Sequence, residues 1–582
     1  MGAGVLFAWC ADGRVACPEP TSHRVGYGGG DMIAAYIGLL LSAVVCVLMF
    51  SLAYKASNGY RTSRYQSMMR YGKETQSMQD RQDLYRFGLT QPLRRDRSSW
   101  QTAGLSFGTM ALIGSSALWF GPAVGQGGLS VIGFGLPILA LFYICVSGSL
   151  AEIASAMPTA GSLSHASIVL GGVQWGRRTG WFHAAGHLVM LALFIGGCAY
   201  LTDSVAAWYF GYSSSVFSFI CLAALIAVAQ AACLQWGASW LGWLHGAGIW
   251  LQLLIGGLVI GAVIWLLWPD SYSAALLYQF DAAGFIEHVR PESYLIGLLL
   301  LMKLFLGMDG AAAGAEETLE PRVRVPWAIY LSTAYTYIGG LIMLTVVSLA
   351  VASAYGSGAL LHTVMGAFGA SSIALIAETA IASWGGAGFI ILFVAVSLWT
   401  SGLQSMTVAA RVMYSLARDE SIPCSRWIGR VTTGGRITPH GSWAAAALAL
   451  LLLTGAQLWW SNEMFIGLLA AAIVLMHIAY GIPIGLRLRE MFRRRPSQRG
   501  GRREEKEGIW QDAPWHLGEW SGPVNAISFC WLGLTAALAV AFLSFDAAIA
   551  AMGLGLLLTM YETWVYMRAR AGSRSSETRK LN

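Results

Sequence analysis

Stretch after stretch of this chain runs for about 20 residues with almost no charged side chain, the length that carries an α-helix across the hydrocarbon core of a bilayer. The candidate spans are 32–54, 102–126, 129–151, 181–209, 215–235, 239–268, 294–317, 327–352, 386–411, 441–459, 463–486, 523–545 and 547–567. Lipid offers backbone N–H and C=O groups no partner, so each segment must satisfy them internally, and a single segment does so only as a helix. The pattern predicts an all-α polytopic membrane protein. Only 12% of the residues are charged, against about 25% in soluble domains, which is too few to cover a water-soluble fold. The 69 glycines and 24 tryptophans suit the same solvent, because glycine lets helices approach closely and tryptophan settles at bilayer interfaces.

Charge between the spans divides the chain. The expected order is an N-terminal tail (1–31), an additional transmembrane helix (32–54), a basic segment (55–100), a transmembrane domain (101–567) of about 12 core spans by the same length rule, and a polar tail (568–582). The first span lacks a basic flank and starts too late for a signal peptide; it reads either as a genuine extra helix or as the product of a misassigned gene start. Lys and Arg favour cytoplasmic loops, which places 55–100 and the C-terminus in the cytoplasm. Alternate loops then agree: Arg177 and Arg178, Arg322 and Arg324, 411–436 and 487–506 are basic, whereas 269–293 is acidic. The net charge of +7 is therefore a topology signal, with no nucleic-acid partner expected. Segments 488–512 and 568–582 are expected to be flexible, and 357–384 to be an outer loop with a short amphipathic helix. Cys10 and Cys17 either pair or stay as free thiols. The nine cysteines show no CxxC or Cys/His cluster, so no metal or cofactor is expected.

Two spans are interrupted at their centres. Segment 104–126 carries Gly104, Gly108, Ile113-Gly114-Ser115-Ser116 and Gly121-Pro122; segment 294–317 carries Gly307-Met308-Asp309-Gly310 and Gly314. The first break opens core span one and the second opens core span six, with four spans between them, the spacing of a five-plus-five inverted repeat. Paired broken helices at matching places are the sequence mark of a substrate site at the bilayer midplane, where unwound backbone binds charged groups; the plainer alternative is that the glycines only permit close packing.

Asp309 is the sharpest single residue, since an intramembrane carboxylate usually faces a cavity, a partner or an ion path. It reads equally as a titrating or counter-charge group and as a cap on the broken helix. Lys303, six residues earlier, is read as an ion-pair partner for Asp309 or as a side chain that snorkels outward. Thr400 and Ser401, in a hydroxyl-rich stretch from Ser397 to Thr407, read as ion ligands facing the first break or as ordinary interhelical hydrogen-bonding groups. His245, Gln252 and His477 read as packing residues. Glu152 and Glu316-Glu317 end their spans on the basic side and look like gate or loop-fixing groups. No GxSxG, HExxH or Walker motif occurs, which argues against an enzyme and against an ATP-driven pump.

These residues resemble the amino acid–polyamine–organocation superfamily, and within it the amino acid/choline permease branch. The resemblance rests on Ile113–Ser116 with Gly127-Gly128, on Ala151–Gly161 (AEIASAMPTAG), on Gly307–Gly310 through Glu316-Glu317-Thr318, and on Ser401–Pro423 with RVMYSLARDESIP from Arg411. Trp515–Gly518 and Gly522–Asn525 add a branch-specific match, and together the motifs span about 85–570. The resemblance implies a LeuT-like five-plus-five inverted repeat with two extra C-terminal helices. It implies a secondary transporter of amino acids or of amines such as GABA, choline or polyamines, coupled to H+ or exchanging. The substrate carboxylate would bind near Ile113, Gly114, Ser115 and Ser116, and its amine near Phe305, Gly307 and Asp309, with Arg411 as a gate or structural residue. Met308, Lys303 and Ala409-Ala410 depart from the family pattern. The alternative function is a transport-inactive nutrient sensor. A plasma membrane location is expected, with an internal membrane as the alternative; oligomeric state is open.

Overall fold

The computed structural model describes residues 29–62, 84–85, 93–236, 241–267, 274–279, 290–354, 387–432, 438–460, 463–493, 510 and 513–581. The expectations for the tail 1–28, for Cys10 and Cys17, for most of 55–92, for the outer loop 357–384 and for most of 494–512 lie outside these residues. Among the described residues the chain is helical, and its one β-type contact is an isolated bridge between Arg97 and Thr318.

We number the helices α1 (Gly29–Thr62), α2 (Ser99–Met110), α3 (Leu112–Gly127), α4 (Leu136–Ala156), α5 (Ser162–Gly171), α6 (Val173–Phe210), α7 (Val216–Trp236), α8 (Leu241–Leu267), α9 (Pro291–Leu301), α10 (Gly310–Ala313), α11 (Pro321–Ala354), α12 (Ala387–Arg418), α13 (Pro439–Trp460), α14 (Met464–Phe492), α15 (Ser521–Phe542) and α16 (Asp546–Leu581). Among the described residues, ten helices or helix pairs are long and apolar enough to cross a membrane. The remaining expected spans coincide with α8, with the broken segment α9–α10, and with α16. Helices outrun the apolar stretches that announced them: α6 starts eight residues before 181, and α16 continues to Leu581 through the expected flexible tail.

Side chains that soluble proteins hide are on the outside here. Phe217 is 78% exposed and Leu458 85%, as expected of surfaces solvated by lipid chains. Polar groups instead gather inward: Lys303, Asp309, His187 and Glu317 are all buried. α6 lies at the centre, packed against α12 and α14; α4 packs on α11, and α9 packs on α3. The additional N-terminal helix docks on this body through Val45, Met49, Leu52 and Ala56, with the Tyr330 hydroxyl donating to the Met49 carbonyl (2.7 Å).

Candidate functional site

The first break falls at Ala111. Helix α2 opens on a capping box, in which Ser98 Oγ accepts from the Gln101 N–H and Gln101 Oε1 accepts from the Ser98 N–H (2.9 Å), satisfying two of the donors a helix start leaves free. It ends where Ala111 takes φ 55°, ψ 60°, a left-handed conformation that L-residues adopt only at a cost of about 1–2 kcal/mol. Helix α3 restarts at once, and its first backbone bond is Ser115 N–H to Ala111 C=O (2.7 Å). The N–H groups of Leu112, Ile113 and Gly114 precede that bond, and no side chain caps them. They form the positive end of a helix dipole. The tetrad Ile113–Ser116 is thus the first turn of α3 rather than the unwound stretch itself.

The second break spans Phe305–Asp309. Gly307 sits at φ +90°, where a Cβ would also come within 3.0 Å of Met190 Cε and Thr109 Cβ; only glycine fits. Three contacts hold the two breaks together. Thr109 Oγ1 donates to the Gly307 carbonyl (2.6 Å), Ser106 Oγ accepts from the Ala311 N–H (2.8 Å), and Lys303 Nζ donates to Ser115 Oγ (3.3 Å). Ser115 gives its own proton to the Met110 carbonyl (2.7 Å), which leaves its lone pairs for the ammonium. Tyr143 stacks on Phe305 with centroids 5.0 Å apart and is itself held by His477 Nε2 (2.8 Å).

Asp309 is fully buried, and its partners come from two other helices. His183 Nε2 (2.5 Å) and His187 Nε2 (3.1 Å) of α6 meet Oδ2, and the Tyr480 hydroxyl of α14 donates to Oδ1. It does not pair with Lys303: the ammonium lies instead on Ser115 and over the Phe194 ring, 4.5 Å from its centroid. Asp309 also makes no side-chain cap on α10. The two imidazoles and the carboxylate lie within 4.8 Å of one another, close enough to hold a metal ion. The surroundings of the imidazoles do not suit one. His187 Nδ1 is buried with no hydrogen-bond partner, whereas a ligating imidazole needs an acceptor for its other N–H. Metal on Nε2 would leave a buried donor unpaired, at about 1–3 kcal/mol. The arrangement suits a neutral His187 that carries its proton on Nε2 and donates it to Asp309.

Toward the basic side, the end of the second broken segment is clamped. Glu317 accepts from Arg97 Nε (2.7 Å) and pairs with Arg411. Arg97 reaches His245 Nδ1 (3.3 Å), whose Nε2 meets Thr407 (3.2 Å). Glu316 accepts from Arg418 (3.1 Å to both oxygens) and from the Ala160 N–H (3.0 Å). Backbone bonds from the Asp96 and Arg97 N–H groups to the Glu317 carbonyl complete the closure. Glu152 stands apart from this cluster, accepting from Ser521 (2.6 Å) and so tying α4 to α15.

The structure brings Ser115, Lys303 and Gly307 together and leaves other expected residues outside. Gly114 faces Leu398, where a Cβ would lie 2.4 Å from Cδ2. Ser116 and Ser401 are buried with hydroxyls that find no partner. Thr400 bonds within its own helix, to the Ser397 carbonyl (2.9 Å), and borders a separate cavity of 430 Å³ between α8 and α12, flanked by Trp243 and Trp250. His477 is a satisfied packing residue between Tyr143 and Thr535. Sequence reasoning missed His183, His187 and Tyr480. The signal for the first two was present: histidines at i and i+4 share one face of a helix, here within a span.

Two broken helices joined at a buried polar centre, inside a body whose outer face is apolar, define a polytopic membrane transporter of the broken-helix type. Residues 98–556 match the amino acid permease family model, and the chain belongs to that family; it is a transporter and not an enzyme. Amino-acid permease BAT1 of Arabidopsis thaliana is 25% identical over 421 residues, covering 70% of this chain and 80% of that protein. An uncharacterized amino-acid permease of Schizosaccharomyces pombe is 23% identical over 480 residues, covering 79% of each chain. The GABA-specific permease of Saccharomyces cerevisiae is 23% identical over 453 residues, covering 73% of this chain and 75% of that protein.

Proposed function

We propose that this amino acid permease is a secondary carrier that binds its substrate between the two breaks and couples transport to protons. The observation that carries the reading is the junction itself, where Thr109–Gly307, Ser106–Ala311 and Lys303–Ser115 contacts bind the broken segments face to face. The substrate carboxylate lies against the free N–H groups of Leu112, Ile113 and Gly114, where the helix dipole favours an anion. The amine lies toward the carbonyls of Phe305 and Leu306, which receive no backbone hydrogen bond among the described residues. The names of two relatives, an amino-acid permease and a GABA-specific permease, agree with α- or ω-amino acids as cargo.

Asp309 with His183, His187 and Tyr480 is the proton site. Its carboxylate accepts from two imidazoles and a phenol, so a proton added at an imidazole raises the cluster's net charge by one. Because Asp309 ends the unwound stretch while both histidines stand on α6, that charge change alters the attraction between the unwound segment and α6. The clamp of Glu316 and Glu317 with Arg97, Arg411 and Arg418 acts as the gate on the cytoplasmic side, given the orientation expected from the basic loops.

Uptake by purified protein in liposomes tests this. The panel comprises neutral, acidic and basic amino acids, GABA, choline and polyamines, under an imposed proton gradient, a sodium gradient, or internal substrate. Saturable accumulation of an amino acid driven by the proton gradient is expected. A ligand that binds but never accumulates under any gradient overturns the carrier reading in favour of a sensor.

A further inference from the structure

We infer that Lys303 restricts this carrier to substrates that bear a carboxylate, zwitterionic amino acids foremost, and excludes amines that lack one. The inference rests on the substrate site proposed above and sharpens it.

The side chain of Lys303 is 2% exposed. An ammonium has three protons to donate and no lone pair to accept. Here one proton meets Ser115 Oγ, at a long 3.3 Å, and the charge rests on the Phe194 ring. Among the described residues no carboxylate lies within ion-pair distance of it: Asp309, six residues on, is engaged by His183, His187 and Tyr480. Through Ser115 the ammonium faces the start of α3, which is also positive, since Ser115 belongs to its first turn and no side chain caps the N–H groups of Leu112 to Gly114. Two sources of positive potential therefore converge on one buried point, and among the described residues no carboxylate answers them. An uncompensated buried charge costs several kcal/mol, and an incoming carboxylate removes that cost by accepting from both.

A choline or polyamine headgroup brings a cation to the same point and meets only repulsion. The Lys303 point accepts an anion, and the proposed amine position at the Phe305 and Leu306 carbonyls accepts a cation, so a zwitterion matches both. The lysine stands in the segment that carries the break, so it moves with the element that must reorganise on binding.

Thermal shift of the purified full-length protein in detergent provides the test. The ligands are the twenty amino acids, GABA, alaninol and leucinol (alanine and leucine with the carboxylate reduced to an alcohol), choline and putrescine. At least one carboxylate ligand is expected to stabilise the wild type, with its amino alcohol, choline and putrescine at least about 30-fold weaker, the loss that follows removal of one partner of a buried charge pair. In Lys303→Gln the carboxylate ligand should weaken to within about tenfold of its alcohol, because only the helix dipole then distinguishes them. Lys303→Arg should keep the preference, which separates charge from packing if the Gln variant folds poorly. Choline, putrescine or an amino alcohol binding the wild type as tightly as an amino acid overturns the inference and leaves the carrier reading standing. No ligand stabilising the wild type overturns both.

Discussion

Replacing Asp309 by Asn removes one charge and almost no volume. The carboxylate accepts from His183 Nε2 and His187 Nε2 on one oxygen and from the Tyr480 hydroxyl on the other. An amide has only one oxygen. It must point at the two imidazoles, since an NH2 there would face two N–H donors; the NH2 then faces Tyr480, whose hydroxyl must turn to accept. Three charge-assisted hydrogen bonds at about 1.5–3 kcal/mol each become neutral ones at about 0.5–1.5, a loss of about 3–4.5 kcal/mol, at the upper end of what single substitutions cost. Volume and span hydropathy are unchanged, so the variant should still insert, with lowered thermal stability. Its cluster is neutral before any proton arrives, so proton uptake no longer changes the attraction between the unwound segment and α6. In liposomes, accumulation driven by an imposed proton gradient should fall to equilibration, while exchange of external for internal substrate continues, because exchange needs no net proton movement. Wild-type accumulation in Asp309→Asn at every pH would remove Asp309 from the mechanism.

The two breaks and the gate give further expectations. Gly307→Ala places a Cβ at φ +90°, within 3.0 Å of Met190 Cε and Thr109 Cβ; the backbone strain alone costs about 1–2 kcal/mol, and uptake should be lost while the protein still reaches the membrane. Gly114→Leu drives a side chain into Leu398, 2.4 Å from where the Cβ would lie, and displaces the start of α3 from α12; normal substrate affinity in that variant would mean the pocket lies elsewhere. Glu317→Ala strands two buried guanidiniums, those of Arg97 and Arg411, and should cost about 3–5 kcal/mol, seen as a large drop in thermal stability. Asp96→Ala removes a pair whose side chains are 59% and 51% exposed and should shift stability by no more than about 1 kcal/mol.

Much of this architecture is legible in the sequence, for physical reasons. Lipid forces each span into a helix, so span positions follow from hydropathy alone, and Gly307 announces the second break because no other residue takes its backbone angles without strain. The first break was harder to locate. Glycine and serine mark the neighbourhood, yet the left-handed residue is Ala111, three positions before Gly114, held there by helices on both sides. Side-chain partnerships were the least legible. Lys303 and Asp309 lie six residues apart in a broken segment, and sequence distance suggested a pair; unwinding between them turns one toward Ser115 and the other toward α6. Tyr480 meets Asp309 across 171 residues of chain, a contact that only the packing of α14 creates. The i, i+4 histidines were readable as a shared face, but their shared object was not. The clamp followed the same pattern: Glu316, Glu317 and Arg411 stood out as charged groups at span ends, whereas Arg97 and Arg418 were hidden in basic segments that served as topology signals.

The measurement that bears most directly on the substrate site is an experimental structure of the protein with a transported amino acid bound. The carboxylate should lie within hydrogen-bond distance of the Leu112–Gly114 N–H groups and of Lys303 Nζ, with the amine toward the Phe305 and Leu306 carbonyls. Substrate density in the cavity beside Trp243, Trp250 and Thr400, with the junction of the two breaks closed and empty, would contradict the account.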